Sequence, residues 1–159
     1  RFSGGVFRLE NYSIDEIVQI VERSAKILEI EIENDAALEI AKRSRSTPRT
    51  ANYLLKRSRD LAQIEKSPLT RKIVQKVVDM LEIDEHGMNQ NDRNLLITII
   101  KNFKGGPVGI NTLAASLSEE EETIEEVVEP YLLQIGMLER TSRGRTATQK
   151  AIDFLGLSM

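Results

Sequence analysis

Seven cations stand between Lys42 and Arg59, namely Lys42, Arg43, Arg45, Arg49, Lys56, Arg57 and Arg59, and no acidic residue follows until Asp60. Within this run Ser46-Thr47-Pro48-Arg49 reads as a helix start, because Thr47 has the side chain to cap orphan N–H groups and Pro48 suits the first helical position. Arg49 then falls in the first turn. The exposed N–H groups make that pole positive already, so a cation there is disfavoured by roughly 0.3–1 kcal/mol. A phosphate seated against both the arginine and the helix mouth would remove the conflict. A solvent-exposed arginine on a basic helix face has the same local sequence. A second group, Arg140, Arg143 and Arg145, lies within six residues around Gly144, whose missing side chain lets a backbone approach a surface closely. Nucleic-acid phosphates are the natural counter-anions for such a turn, and a solvated basic loop is the alternative.

Other chemistries find little support. Cysteine is absent, which removes disulfide frameworks and thiolate metal sites. The single histidine, His86, sits in the turn-like Asp84-Glu85-His86-Gly87 and has no histidine partner for a transition metal, so no metal site is expected. No G-x-x-x-x-G-K-[ST] phosphate loop occurs, and no apolar run approaches the ~18 residues needed to span a bilayer. The net charge of −3 hides an uneven distribution, with 15 Lys and Arg against 14 Asp and Glu in residues 1–84 and 7 against 11 in residues 85–159. Local placement therefore decides what the chain attracts. Arg1 in place of an initiating methionine suggests a piece of something longer.

The elements that hold the first cation group read as a four-helix domain over residues 1–84. Val6 to Glu10 alternates like a strand end, and Ser13-Ile14-Asp15-Glu16 is a capping box opening a helix with Ile17, Ile20, Val21, Ala25 and Leu28 on one face. Asn34 or Asp35 is expected to cap a second helix, Pro48 to open the third, and Thr70 to cap a fourth bearing Ile73, Val74, Val77, Val78 and Leu81.

Residues 85–159 read as a second domain. Asn89 opens a helix through Leu95, Leu96, Ile99, Ile100 and Phe103, which Gly105-Gly106-Pro107 ends. Val108-Gly109-Ile110 is a short strand, Asn111 caps a brief helix, and Ser118-Glu119-Glu120-Glu121 is a second capping box, opening a helix that Pro130 should bend and Gly136 should close. Met137 to Thr141 and Thr146 to Thr148 then flank the turn Ser142-Arg143-Gly144. This is the order of a winged helix, a helix-turn-helix domain with a hairpin wing. Its third helix carries Glu119, Glu120, Glu121, Glu122, Glu125, Glu126 and Glu129, a poor face for a DNA groove, so the wing is the expected DNA contact. The fold class is mainly α: a four-helix bundle followed by a winged helix.

Arg45-Ser46-Thr47-Pro48-Arg49-Thr50-Ala51-Asn52 with Leu54-Leu55 and Arg59-Asp60, then Asp92-Arg93, Gly105-Gly106-Pro107-Val108-Gly109, Thr123-Ile124-Glu125, Glu129-Pro130-Tyr131-Leu132 and Arg140-Thr141 to Arg143-Gly144-Arg145, resemble the C-terminal portion of the RuvB family, bacterial Holliday-junction branch-migration motors of the AAA+ class. The resemblance spans nearly the whole chain. It implies an AAA+ lid domain over 1–84, starting with the end of the ATPase core, and a winged-helix DNA-binding domain over 85–159. Arg49 is similar to the family's sensor-two arginine, which reaches nucleotide phosphates, and Tyr12 to the tyrosine at the lid edge of the nucleotide site. Arg1 resembles an arginine that contacts nucleotide, in cis or as an arginine finger in trans. Arg140 and Arg145 resemble the wing's DNA-binding arginines, with Arg143 beside them. Ser3-Gly4-Gly5 is longer and more linker-like than the family's run, which loosens the register of Arg1.

What the resemblance implies for the intact protein is ATP or ADP with Mg, a homo-hexameric ring, Holliday-junction DNA, a RuvA-type junction-binding protein, a RuvC-type resolvase and a bacterial cytoplasmic location without membrane attachment. The chain alone, lacking a phosphate loop, is expected neither to hydrolyse ATP nor to hold nucleotide. Two other classes fit parts of the sequence: a sequence-specific winged-helix regulator, and a protein-interaction module whose acidic helix meets a basic partner.

Overall fold

A computed structural model of the chain describes residues 12–157. Arg1 and the strand expected at Val6 to Glu10 lie outside the described residues. The chain divides into two compact units between Asn89 and Gln90.

The first unit packs α1 (Ile14–Ile27), α2 (Asn34–Arg43), α3 (Pro48–Glu65) and α4 (Arg71–Met80) around one core. Ser13 and Glu16 form the expected capping box, each side chain accepting from the other's backbone N–H, at 3.1 and 3.0 Å. From there Ile17, Val21 and Ala25, four residues apart, bury one stripe. Thr47 and Thr70 cap α3 and α4 through Thr50 N and Ile73 N, both at 3.3 Å. The second helix departs from expectation: its N-cap is Glu33, with no side-chain cap, and Asn34 is already helical. An isolated parallel bridge between Ile32 and Leu69 holds the chain extended until there, so position rather than residue type sets the start.

One arginine of the basic run and one from α4 hold this unit together. Buried Glu39 accepts from Arg43 Nε at 2.8 Å and from Arg71 Nε at 3.1 Å, and Arg43 Nη1 also donates to the Ile83 carbonyl at 3.0 Å. Arg45 and Ser46 both take left-handed backbone, with φ of 58° and 59°, turning the chain sharply into the Thr47 cap.

The second unit runs α5 (Gln90–Asn102), α6 (Ile110–Leu117), α7 (Glu121–Thr123), a π segment (Ile124–Val128), α8 (Glu129–Gln134), β1 (Leu138–Thr141), β2 (Gly144–Ala147) and α9 (Gln149–Leu155). It is mainly helical with one antiparallel hairpin, the composition expected of a winged helix. Leu95, Leu96, Ile99, Ile100, Leu113, Ile124 and Leu132 are fully buried in it.

Several expectations here need correction. Gly109, not Asn111, is the N-cap of α6, because Val108 is pinned to Arg145 and the helix can start only after that bridge. Ser118 is the left-handed C-cap of α6 rather than the cap of the next helix. Glu119 N–H closes onto Ala114 O at 3.0 Å, so α7 begins at Glu121. Pro130 lacks an N–H, and the turn before it widens into a π segment, with Glu129 N–H reaching back five residues to Ile124 O. The expected Val108–Ile110 strand is reduced to the Val108–Arg145 bridge. A last helix, α9, capped by Thr148 through Ala151 N, follows the hairpin without a clear signal in the sequence.

Candidate functional site

The hairpin is the first candidate. In its register Leu138 faces Ala147, Glu139 faces Thr146, Arg140 faces Arg145 and Thr141 faces Gly144. Alternation puts Leu138, Arg140, Arg145 and Ala147 on one side of the ribbon, and Leu138, Arg145 and Ala147 are buried. Thr141 Oγ1 shapes the tip by accepting from Arg143 N and donating to Gly144 O, both at 3.1 Å.

A second chain segment locks β2 from its other edge. Val108 N donates to Arg145 O at 2.9 Å, Arg145 N to Val108 O at 2.8 Å, and Ala147 N to Gly105 O at 3.0 Å. Such close approach explains two glycines. A Cβ at Gly106, φ 98°, would collide with the Arg145 carbonyl oxygen, and one at Gly144, φ 133°, with the Val108 carbonyl oxygen. The G-G-P-V-G and R-G-R motifs are thus the two halves of one backbone crossing.

The three wing arginines do not share one fate. Arg143 is exposed, and its guanidinium has no ion pair or hydrogen bond among the described residues. Arg140 keeps half of its side chain in solvent and lies 3.8 Å from Glu125. Arg145, expected to stand with them at the tip, is buried: Nε donates to Glu129 Oε2 at 2.5 Å, Nη2 to Glu129 Oε1 at 3.3 Å, and Nη2 also reaches Glu125 Oε2 at 3.4 Å. That expectation of display is corrected, because strand parity turns Arg145 towards α8. The hydrogen bond that Arg145 donates to Glu129 raises the Arg145 pKa above its ordinary value against the opposing effect of burial, and the charges of Glu129, Glu125 and Glu121 add to the rise.

Glu129 and Glu125 are the site residues that the sequence reading missed. In the sequence both belong to the acidic face that repels DNA. They lie four apart, a spacing that puts them on one side of a helix, but their partners are 16 and 20 residues away on a different element. Strand parity around Ala147 was the available signal that Arg145 points inward.

The second candidate is the mouth of α3. Arg49 is exposed in its first turn, after Pro48, and its guanidinium has no ion pair or hydrogen bond among the described residues. Thr47 Oγ1 accepts from the Thr50 N–H, and Pro48 has no N–H to offer. The arrangement fits a phosphate, a cation standing free beside the positive helix pole. Tyr12, just before α1, is half-buried against the core of the first unit. Arg1 lies outside the described residues. Among the described residues no group of three His, Cys, Asp or Glu side chains could hold a metal ion, and no helix is long and apolar enough to cross a membrane.

Comparison with known proteins gives a consistent picture. Residues 12–84 match a family model described as the RuvB AAA lid domain, and residues 85–156 one described as the RuvB C-terminal winged helix domain. The chain is 51% identical, over 152 residues and 95% of its length, to the Holliday junction branch migration complex subunit RuvB of Solibacter usitatus, and 51% identical over the same share to that of Koribacter versatilis. It spans 44% and 42% of those two proteins. Its fold is similar to that of the Thermotoga maritima RuvB Holliday junction branch migration motor, with a TM-score of 0.91 at 47% identity, over 95% of this chain and 51% of that one.

Proposed function

The chain belongs to the RuvB family, of which it carries the lid and winged-helix domains, and from that premise we propose that it is the part of an ATP-driven Holliday-junction motor that reads nucleotide state and grips DNA. The observation that carries the reading is the pair of cations left exposed at the wing, Arg140 and Arg143, beside an acidic third helix unsuited to a groove. Phosphate contacts fix a protein on the duplex without reading sequence, which is what a translocating machine needs. Arg145 supports them from inside by tying the wing to α8.

At the lid, Arg49 holds a nucleotide phosphate at the mouth of α3, and Tyr12 lines the edge of the same pocket. Bound ATP with Mg supplies the charge that Arg49 answers. The lid's angle then follows nucleotide state and moves the wing against the DNA. Arg1 contributes to a nucleotide site in cis or in trans. Hydrolysis belongs to the intact protein, a cytoplasmic homo-hexamer working with RuvA-type and RuvC-type partners. This segment alone is inactive as an ATPase.

The test is a fluorescence-anisotropy titration of a labelled four-way junction and two unrelated duplexes at several salt concentrations. Binding is expected to be weak, indifferent to sequence and salt-sensitive. Replacing Arg140 and Arg143 by alanine lowers affinity and reduces the salt slope by about two, at roughly 0.9 per phosphate contact. Unchanged binding by that variant removes the wing assignment, and preference for one duplex points to a sequence-specific regulator instead.

A further inference from the structure

A partly exposed carboxylate lies against two of the wing arginines. Glu125, in the π segment, has 41% of its side chain exposed, and its Oε2 lies 3.4 Å from Arg145 Nη2 and 3.8 Å from Arg140 Nη2. Because Arg140 and Arg145 face each other across the hairpin, one oxygen serves both cations. Two arginines directly opposite would otherwise repel.

Glu129 plays a different part. Its side chain is 1% exposed and takes both Nε and Nη2 of Arg145, so it cannot leave without stranding a buried cation. Glu125 is held by one long hydrogen bond from Arg145, 3.4 Å, and a 3.8 Å ion pair with Arg140, and with its side chain 41% exposed it can turn into solvent at little cost. The two glutamates therefore divide the work: one is structural, the other exchangeable. Arg143 has no such competitor among the described residues.

We propose that Glu125 is a built-in competitor of the DNA backbone, neutralising Arg140 and the outer edge of Arg145 in the free protein and giving way to a phosphate on binding. This rests on the reading of the wing as the DNA contact. A phosphate of a duplex belongs to a dense polyanion and displaces a single carboxylate, while isolated weak anions do not. The exchange also keeps each contact weak enough to be released, as a moving grip requires. When a phosphate leaves, Glu125 returns to the arginines and lowers the cost of letting go.

The experiment compares Glu125→Gln with Glu126→Gln in the 159-residue chain, titrated against a fluorescein-labelled random-sequence duplex. Glu126 is a matched control: it is exposed, has no ion pair among the described residues, and its replacement changes net charge equally. Glu125→Gln is expected to tighten binding by about two- to fivefold at low salt, the span of an exposed ion pair, and clearly more than Glu126→Gln. Adding Arg140→Ala to Glu125→Gln should shrink that gain. Equal gains from the two glutamine variants reduce the effect to net charge and overturn the proposal. Weaker binding by Glu125→Gln makes Glu125 an organiser of the arginines, which also overturns it. If the unaltered chain and Glu125→Gln both fail to bind at low salt, the DNA reading itself falls and this inference with it; binding by the unaltered chain without a gain in the variant defeats the inference alone.

Discussion

Replacing Glu129 by glutamine tests the central construction of the winged helix. The carboxylate is 1% exposed and its partner's side chain 8% exposed, so the variant leaves a guanidinium buried without its counter-charge. Breaking a buried pair in this way costs about 3–5 kcal/mol. Glutamine keeps one acceptor oxygen for Arg145, and partly exposed Glu125 still offers some compensation, which brings the expected loss to about 2–3 kcal/mol. A domain of 60–100 residues loses roughly 4–8 °C per kcal/mol, so the midpoint of the second unit should fall by about 10–20 °C in differential scanning calorimetry. Amide exchange at Val108 and Arg145, bonded to each other on the same crossing, should accelerate in parallel. The cause is isolated by a double replacement, Glu129→Met with Arg145→Met, because removing both charges in favour of apolar side chains of similar volume is often neutral or stabilising. A Glu129→Gln midpoint within about 1 °C of the parent would refute the reasoning on magnitude, since that shift corresponds to well under 1 kcal/mol. A double variant as damaged as the single one would refute it on mechanism, since the loss would then lie in packing.

Gly144→Ala should destabilise the second unit by about 2–4 kcal/mol, because the added methyl meets the Val108 carbonyl oxygen at a φ of 133°, and calorimetry should place that loss in one unit only. Thr47→Ala should cost about 1 kcal/mol in urea unfolding, through loss of the α3 cap at Thr50 N; a loss below a few tenths would mean that the sharp Arg45–Ser46 turn holds the helix start by itself.

How much of this was readable in the residues depends on the distance over which each feature is decided. Ser13, Thr47 and Thr70 cap their helices as their types suggest, since that geometry is settled within four residues. Asn34, Asn111 and Ser118 have equally suitable side chains, yet none caps the helix start assigned to it. Asn34 and Asn111 lie next to long-range constraints, the Ile32–Leu69 and Val108–Arg145 bridges, while Ser118 is taken up by the end of the preceding helix, which Glu119 closes on Ala114. The short α9 escaped because seven residues after a hairpin give little periodicity to read.

The wing shows the same division more sharply. Its arginines and glycines are visible as composition, but their roles follow from parity and from the partner segment around Val108, far earlier in the chain. Arg145 shares a strand face with Ala147, so it turns inward and needs a carboxylate; Arg143 sits in the turn and needs none. Gly106 and Gly144 are each required because the segment holding the other passes within backbone contact. A charged hairpin tip can press against a polyanion only if its base resists the load, and here the base is a backbone crossing and a buried ion pair rather than apolar packing alone. The acidic third helix, which would repel DNA as a groove reader, supplies that ion pair. Its charge is therefore consistent with a machine that holds DNA through the wing, and a helix rebuilt with lysines at 125 and 129 would lose the wing rather than gain a second grip.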